Sequence, residues 1–184
     1  MKIAITGTPG SGKSTLAREL AKRLGLKHYS IGDMRRRIAR EKRLTLAELN
    51  RLGESEDWTD RSVDEFVKKL GQSDEGFVIE SRTAWHFIPG AIKIFLDAAE
   101  DARARRVLAR PNPEEQFANL RDVLASLLER LHSDRTRYHQ YYDIDPFDPS
   151  QHDILLDNTE KTAEETLREA LHQIRRWVRE NRNR

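Results

Sequence analysis

The chain has 184 residues, 37% hydrophobic and 35% charged, with a formal net charge of +2 and no cysteine. This length suits one domain with a real core, and the lack of cysteine excludes a disulfide framework, a thiolate zinc site and a cysteine nucleophile. No apolar run approaches the ~20 residues that span a bilayer, the net charge is too small to imply nucleic-acid binding, and the first residues enter a strand with no room for a signal peptide, so a cytoplasmic protein is expected.

Ile3-Ala4-Ile5-Thr6 reads as a buried β-strand that breaks at Gly7 into a tight loop and feeds a helix near Lys13. Gly7-Thr8-Pro9-Gly10-Ser11-Gly12-Lys13-Ser14, with Thr15 after it, fits G-x-x-x-x-G-K-[ST], the phosphate-binding loop. Its glycines let successive N–H groups converge on phosphate oxygens. The helix N-terminus adds partial positive charge. Lys13 can reach β- and γ-phosphates, and the Ser14 hydroxyl can ligate Mg2+. The bland alternative is a glycine-rich turn capped by a lysine, but strand before and helix after is the context that favours a nucleoside triphosphate.

The first helix is expected over Lys13 to Leu24, stopped by Gly25, and a second strand over Leu26 to Tyr29. Ser30 to Asp33 reads as a turn into a basic helix, Met34 to Lys42. Thr45 with Glu48 forms a capping box for another helix, and a further helix covers Thr59 to Leu70. Phe77-Val78-Ile79 is a third strand ending in Glu80-Ser81-Arg82, and Ile92 to Leu96 a fourth. A helix with Arg103, Arg106 and Arg110 follows. Asn112 and Pro113 read as the N-cap and first residue of a long helix reaching the region of Arg137. Ile154-Leu155-Leu156 is the fifth strand, and Thr162 with Glu165 caps the last helix. Alternating strand and helix predicts an α/β fold: a five-stranded parallel sheet between two helical layers.

Ser30-x-Gly32-Asp33-x-x-Arg36 falls at the carboxyl edge of that sheet, where open α/β sheets bind ligands. An arginine there can fork onto a phosphate, although Arg35, Arg36 and Arg37 could equally be a solvated helix face. Glu80 at the end of the third strand can hold water on a Mg2+ shell, with Arg82 facing an acceptor phosphate; the alternative is a strand-end ion pair. Arg103, Arg106 and Arg110 share one helix face, as do Arg130, Asp134 and Arg137. Phosphoryl transfer needs such charge on a closable segment, whereas the second row could also be a surface salt bridge worth a few tenths of a kcal/mol.

Taken together, Ser30-Ile31-Gly32-Asp33-Met34-Arg35-Arg36, Ile92-Lys93-Ile94-Phe95-Leu96-Asp97-Ala98 with Arg103 and Arg106, Arg130-x-x-x-Asp134-x-x-Arg137-Tyr138 and Asp153-Ile154-Leu155-Leu156-Asp157-Asn158-Thr159 resemble the nucleoside monophosphate kinases, and most closely the short archaeal-type cytidylate kinases. The resemblance covers nearly the whole chain. It implies a phosphate-loop NTPase fold in a single domain, a helical monophosphate-binding insertion over about 33–73, and an arginine-bearing lid over about 103–137. It also implies that Arg36 and Arg82 hold the acceptor phosphate, with Ser30 and Asp33 in the same turn, and that Asp134 and Arg137 touch sugar and base. The chain departs from the pattern at Ser81, where glycine is usual, and at Thr83, where bacterial cytidylate kinases carry an Asp that reads the cytosine amino group.

The expected activity is Mg2+- and ATP-dependent phosphorylation of CMP or dCMP by a monomer. Lys13 and the loop amides would act on the donor phosphates, Arg103, Arg106 and Arg130 on the transferring group, and Ser14 and Glu80 on the metal. The alternatives are a kinase for AMP, UMP or another small molecule, and an NTP-binding regulatory or ribosome-assembly factor whose basic tail contacts RNA. The acceptor and lid arginines argue against the last of these.

Overall fold

A computed structural model describes residues 1–110 and 117–181. Strands β1 (Lys2–Gly7), β2 (Lys27–Ser30), β3 (Phe77–Glu80), β4 (Ile92–Asp97) and β5 (Ile154–Asp157) form one parallel sheet in the order β2-β3-β1-β4-β5. Between them run helices α1 (Lys13–Leu24), α2 (Ile31–Glu41), α3 (Leu46–Leu52), α4 (Trp58–Gln72), α5 (Ala84–Phe87), α6 (Glu100–Leu108), α7 (Leu120–Tyr142) and α8 (Ala163–Glu180).

Alternation along the central strands sorts the core onto two faces. Ile3 and Ile5 of β1, with Ile92, Ile94 and Leu96 of β4, pack against Leu16 and Leu20 of α1 and Leu167, Leu171 and Ile174 of α8. Ala4, Phe77 and Ile79 point the other way, against Ile31 of α2, Val63 and Val67 of α4 and Ile88 after α5. Phe95, also on that side, meets Leu131 of α7 and Phe147. Because every strand is parallel, all carboxyl ends open at one edge, and the loops after β1, β2 and β3 meet there.

The five strands and the two capping boxes are where the sequence places them: Thr45 with Glu48, and Thr162 with Glu165, each make both reciprocal bonds. Three local readings change. Ser30 to Asp33 is no free turn, because the Ser30 hydroxyl accepts the Asp33 N–H at 3.2 Å and starts α2 at Ile31. The helix carrying Arg130 to Arg137 begins at Leu120 behind an Asn119 cap and runs on to Tyr142; the expected Asn112 cap and Pro113 start lie outside the described residues. The one-turn helix α5 carries no periodic signal in the sequence. Among the described residues no helix is long and apolar enough to cross a membrane.

Candidate active site

Gly7 closes β1 with φ +149°, and a Cβ there would meet the Leu96 carbonyl oxygen at 1.9 Å. Only glycine lets β1 and β4 approach this closely while the chain turns into the loop. Thr8 then ties the loop to β4 by donating to Asp97 Oδ1 at 2.6 Å. Ser11 is buried and donates to the Thr8 carbonyl at 2.9 Å. Gly12 stands at the N-cap of α1 in the left-handed region, with no side-chain cap, so the first N–H groups of α1 keep no side-chain acceptor there.

Beyond this loop lies a cleft of about 740 Å3. One wall carries Pro9, Gly10, Gly12, Lys13, Ser14 and Glu80. The opposite wall carries Asp33 and Arg36 from α2, Arg82 after β3, and Arg130 and Asp134 from α7. Lys13 donates from Nζ to the Thr8 carbonyl at 2.7 Å, and burial together with the neighbouring Arg82 pushes its ammonium well below the ordinary lysine range. The Ser14 hydroxyl donates to Glu80 Oε2 at 2.6 Å. Burial pushes the Glu80 carboxyl up, but His28, Ser14, Ser30 and Lys13 outweigh it and hold the group below its ordinary value. His28 Nε2 stands 3.7 Å from Glu80 Oε1, beyond hydrogen-bond reach, so that oxygen is buried with no hydrogen-bond partner.

The arginines at and behind the opposite wall are held by a ladder of ion pairs. Asp60 of α4, 2% exposed, accepts from Arg35, from Arg137 Nη1 at 2.6 Å to each oxygen, from Tyr138 at 3.0 Å and from Thr59 at 2.9 Å. Arg137 Nη2 donates onward to Asp134, whose other oxygen accepts from Arg82 Nε at 2.7 Å. Arg82 Nη1 finally reaches the Gly7 carbonyl at 2.9 Å. Burial pushes the Asp134 carboxyl up, but Arg82 and Arg137 prevail and bring it down to about 2, so it stays ionised.

The sequence-selected residues therefore divide. Gly10, Gly12, Lys13, Ser14, Asp33, Arg36, Glu80, Arg82, Arg106, Arg130 and Asp134 share the cleft. Thr15 faces a separate cavity of about 140 Å3 with Arg106, Arg110 and Asn158. Ser30 accepts the Asp33 N–H to cap α2 while its side chain also bonds to the Glu80 carboxylate. Three others are turned away from the expected place. Arg103, 4% exposed, donates to the Ala98 carbonyl at 3.0 Å and the Pro9 carbonyl at 3.2 Å, and its Cβ would stand 3.1 Å from a Cβ on Gly10; it braces the loop from behind and does not face the cleft. Thr83, 1% exposed, donates to Asp64 Oδ1 at 2.8 Å and points into the α4 interface. Arg137, also 1% exposed, has both terminal nitrogens taken by Asp60 and Asp134, and its buried Nε has no partner.

Sequence reasoning missed Arg35, Asn50, Asp60 and Asp64. A signal was present: Asp60, Val63, Asp64 and Val67 fall at i, i+3, i+4 and i+7, so both carboxylates share the apolar stripe of their helix.

A family model described as an AAA domain matches residues 3–125. The chain is similar to a cytidylate kinase of Methanothrix thermoacetophila, 37% identical over 175 residues that cover 95% of this chain and 98% of the relative. It is likewise similar to a cytidylate kinase of Haloarcula marismortui, 37% identical over 95% of this chain and 89% of the relative. Among solved structures, a gluconokinase from Sinorhizobium meliloti matches with a TM-score of 0.63 at 18% identity, covering 97% of this chain and 94% of that one, which is a likeness of fold.

Proposed function

The chain belongs to the cytidylate kinase family and is a nucleoside monophosphate kinase, and on that premise we propose that it transfers the γ-phosphoryl group of ATP, with Mg2+, to CMP or dCMP. The observation that carries the reading is one cleft with the phosphate loop and Glu80 on one wall and Arg36, Arg82 and Asp134 on the other.

In this reading an oxygen of the acceptor phosphate forms the new bond to γ-phosphorus while the bond to the β,γ-bridging oxygen breaks, leaving ADP. The attacking oxygen is already an anion, so no general base is needed, and the protein contributes positioning and charge. Lys13 exchanges its Thr8 carbonyl for donor phosphate oxygens, and the loop amides hold the rest. Arg36 and Arg82 take the acceptor phosphate. Arg106 and Arg130 are the lid charges that face the transferring group, while Arg103 serves by bracing the loop.

Ser14 and Glu80 fit a magnesium ion that arrives with the donor. Glu80 is held ionised and keeps one buried oxygen without a partner, and among the described residues no group of three His, Cys, Asp or Glu could form a cage without the phosphates. When bound, the ion would neutralise charge on the β- and γ-phosphates. A cytoplasmic monomer that partners nucleotides, with no membrane or nucleic acid, belongs to the same reading.

A coupled assay with ATP and a panel of monophosphates tests it. CMP and dCMP are expected to have the highest kcat/KM. A preference for AMP or UMP would replace the acceptor, and ATP hydrolysis without acceptor preference, together with salt-dependent RNA binding, would replace the activity.

A further inference from the structure

Two positions that the resemblance places at the acceptor base are spent elsewhere: Thr83 on Asp64, and the Arg137 fork on Asp60 and Asp134. What the cleft offers in their place is Asn50, at the inner end of α3 and 7% exposed. We propose that Asn50 is a specificity-determining residue whose amide N–H donates to N3 of the cytosine ring; this rests on the cytidylate reading and deepens it.

The amide has one orientation, for a chemical reason. A guanidinium only donates, so the atom facing Arg35 Nη2 at 3.0 Å must be the Asn50 oxygen. Arg35 in turn cannot swing to release it, because Nη1 is fixed on Asp60 and on the Thr59 carbonyl at 3.1 Å. That leaves Asn50 Nδ2 without a hydrogen-bond partner among the described residues, on a side chain that lines the cleft. Nδ2 is not one of the sealed polar atoms of the protein, so it stays open to donate to a ligand that supplies an acceptor.

The position relative to Asp134 is fixed as well. Ser133 Oγ donates to the Asn50 carbonyl at 3.5 Å, which docks α3 against α7 one residue from Asp134. Asp60 grips Arg35 and Arg137 together, so the group that orients Asn50 and the group that orients Asp134 are registered on one carboxylate. The cleft lining thus includes both an acceptor, Asp134, and a donor, Asn50. Cytosine carries the complement, an exocyclic amino donor next to the N3 acceptor. Uracil reverses both, setting a carbonyl against the carboxylate and N3–H against the amide. Adenine has the same edge order as cytosine, so this pair separates amino bases from oxo bases and leaves ring size to the rest of the cleft.

The test uses the full chain and two acceptor changes. With wild-type protein, 3-deaza-CMP, which keeps phosphate, sugar and amino group but lacks the N3 acceptor, is expected to show an acceptor KM raised at least about tenfold, with the ATP KM unchanged. Asn50→Asp keeps the acceptor for Arg35 and replaces the donor by a carboxylate; the CMP-to-UMP ratio of kcat/KM is expected to fall at least about tenfold. Asn50→Ala should abolish the difference between CMP and 3-deaza-CMP. If wild-type protein uses 3-deaza-CMP as well as CMP, or Asn50→Asp folds and keeps the wild-type CMP-to-UMP ratio, the Asn50 assignment is overturned while the cytidylate reading stands. If wild-type protein does not phosphorylate CMP, the cytidylate reading itself fails.

Discussion

Asp64→Asn should remove a specific pH dependence from the stability of this fold. Asp64 lies 3% exposed on α4, where Thr83 donates to one oxygen at 2.8 Å and Tyr142 to the other at 2.7 Å. Burial raises its carboxyl from 3.8 to about 6, against the smaller lowering by those two hydroxyls. A folded value above the unfolded one means that between about pH 4 and 6 the native state keeps a proton the unfolded chain has released. Stability from this group is therefore full below pH 4 and lost as pH rises through 6. A rise of that size is worth about 3 kcal/mol. Asp134 and Glu80, held below their ordinary values, act in the opposite sense, adding stability that is lost on acidification. They are common to both proteins and cancel in the difference. Urea denaturation at fixed ionic strength, from pH 4 to 7, should show wild type losing about 2 kcal/mol more than Asp64→Asn, since part of the change lies below pH 4. Parallel curves would refute the buried-carboxyl account. Since Asp64 joins α4 to the end of β3 and to α7, the same titration should loosen the acceptor side of the cleft first.

Lys13→Ala removes the ammonium beside the loop and is expected to lower turnover at least about a hundredfold while leaving the thermal midpoint within a few degrees; near-wild-type turnover in the coupled assay would dismiss the proposed catalytic role of the lysine. Arg137→Ala strands two buried carboxylates and should cost about 3–5 kcal/mol in denaturant unfolding, whereas a surface ion-pair ladder would cost a few tenths. Asp134→Asn should raise the KM for CMP much more than that for ATP, and equal effects on both substrates would take it out of the acceptor site.

The phosphate loop was legible because its chemistry is contiguous: Gly7 to Ser14 carries glycines, lysine and hydroxyl in eight residues, directly after a strand. The sheet was legible because buried parallel strands read as short apolar runs. What the sequence hid is the difference between a charge that faces solvent and one that faces another helix. Arg130, Asp134 and Arg137 look like one ladder by spacing, yet Asp134 reaches the cleft while Arg137 is sealed behind it by Asp60, a partner 77 residues away. Arg103 and Arg106 sit on adjoining turns of α6 with the same look, and only the packing of Gly10 and Pro9 against Arg103 separates brace from wall. Asn50 carries no motif at all; it matters because Arg35 and Ser133 fix it from two sides.

The ion-pair ladder also bears on how charge is kept ready in the cleft. Three guanidiniums, those of Arg35, Arg82 and Arg137, share two carboxylates, Asp60 and Asp134. The surplus cation lies at the Arg82 end, on the wall that faces Lys13, and Arg82 is one of the two main causes that push the lysine toward neutrality. Glu80 and Asp134 favour the charge of this half-buried lysine, but desolvation and Arg82 prevail over them. Phosphate oxygens entering the cleft reverse both causes at once, by replacing lost solvation with anionic acceptors and by screening Arg82 from Lys13. In the proposed reading, the phosphates that Lys13 would hold favour its charged form and compete with the Thr8 carbonyl for its Nζ.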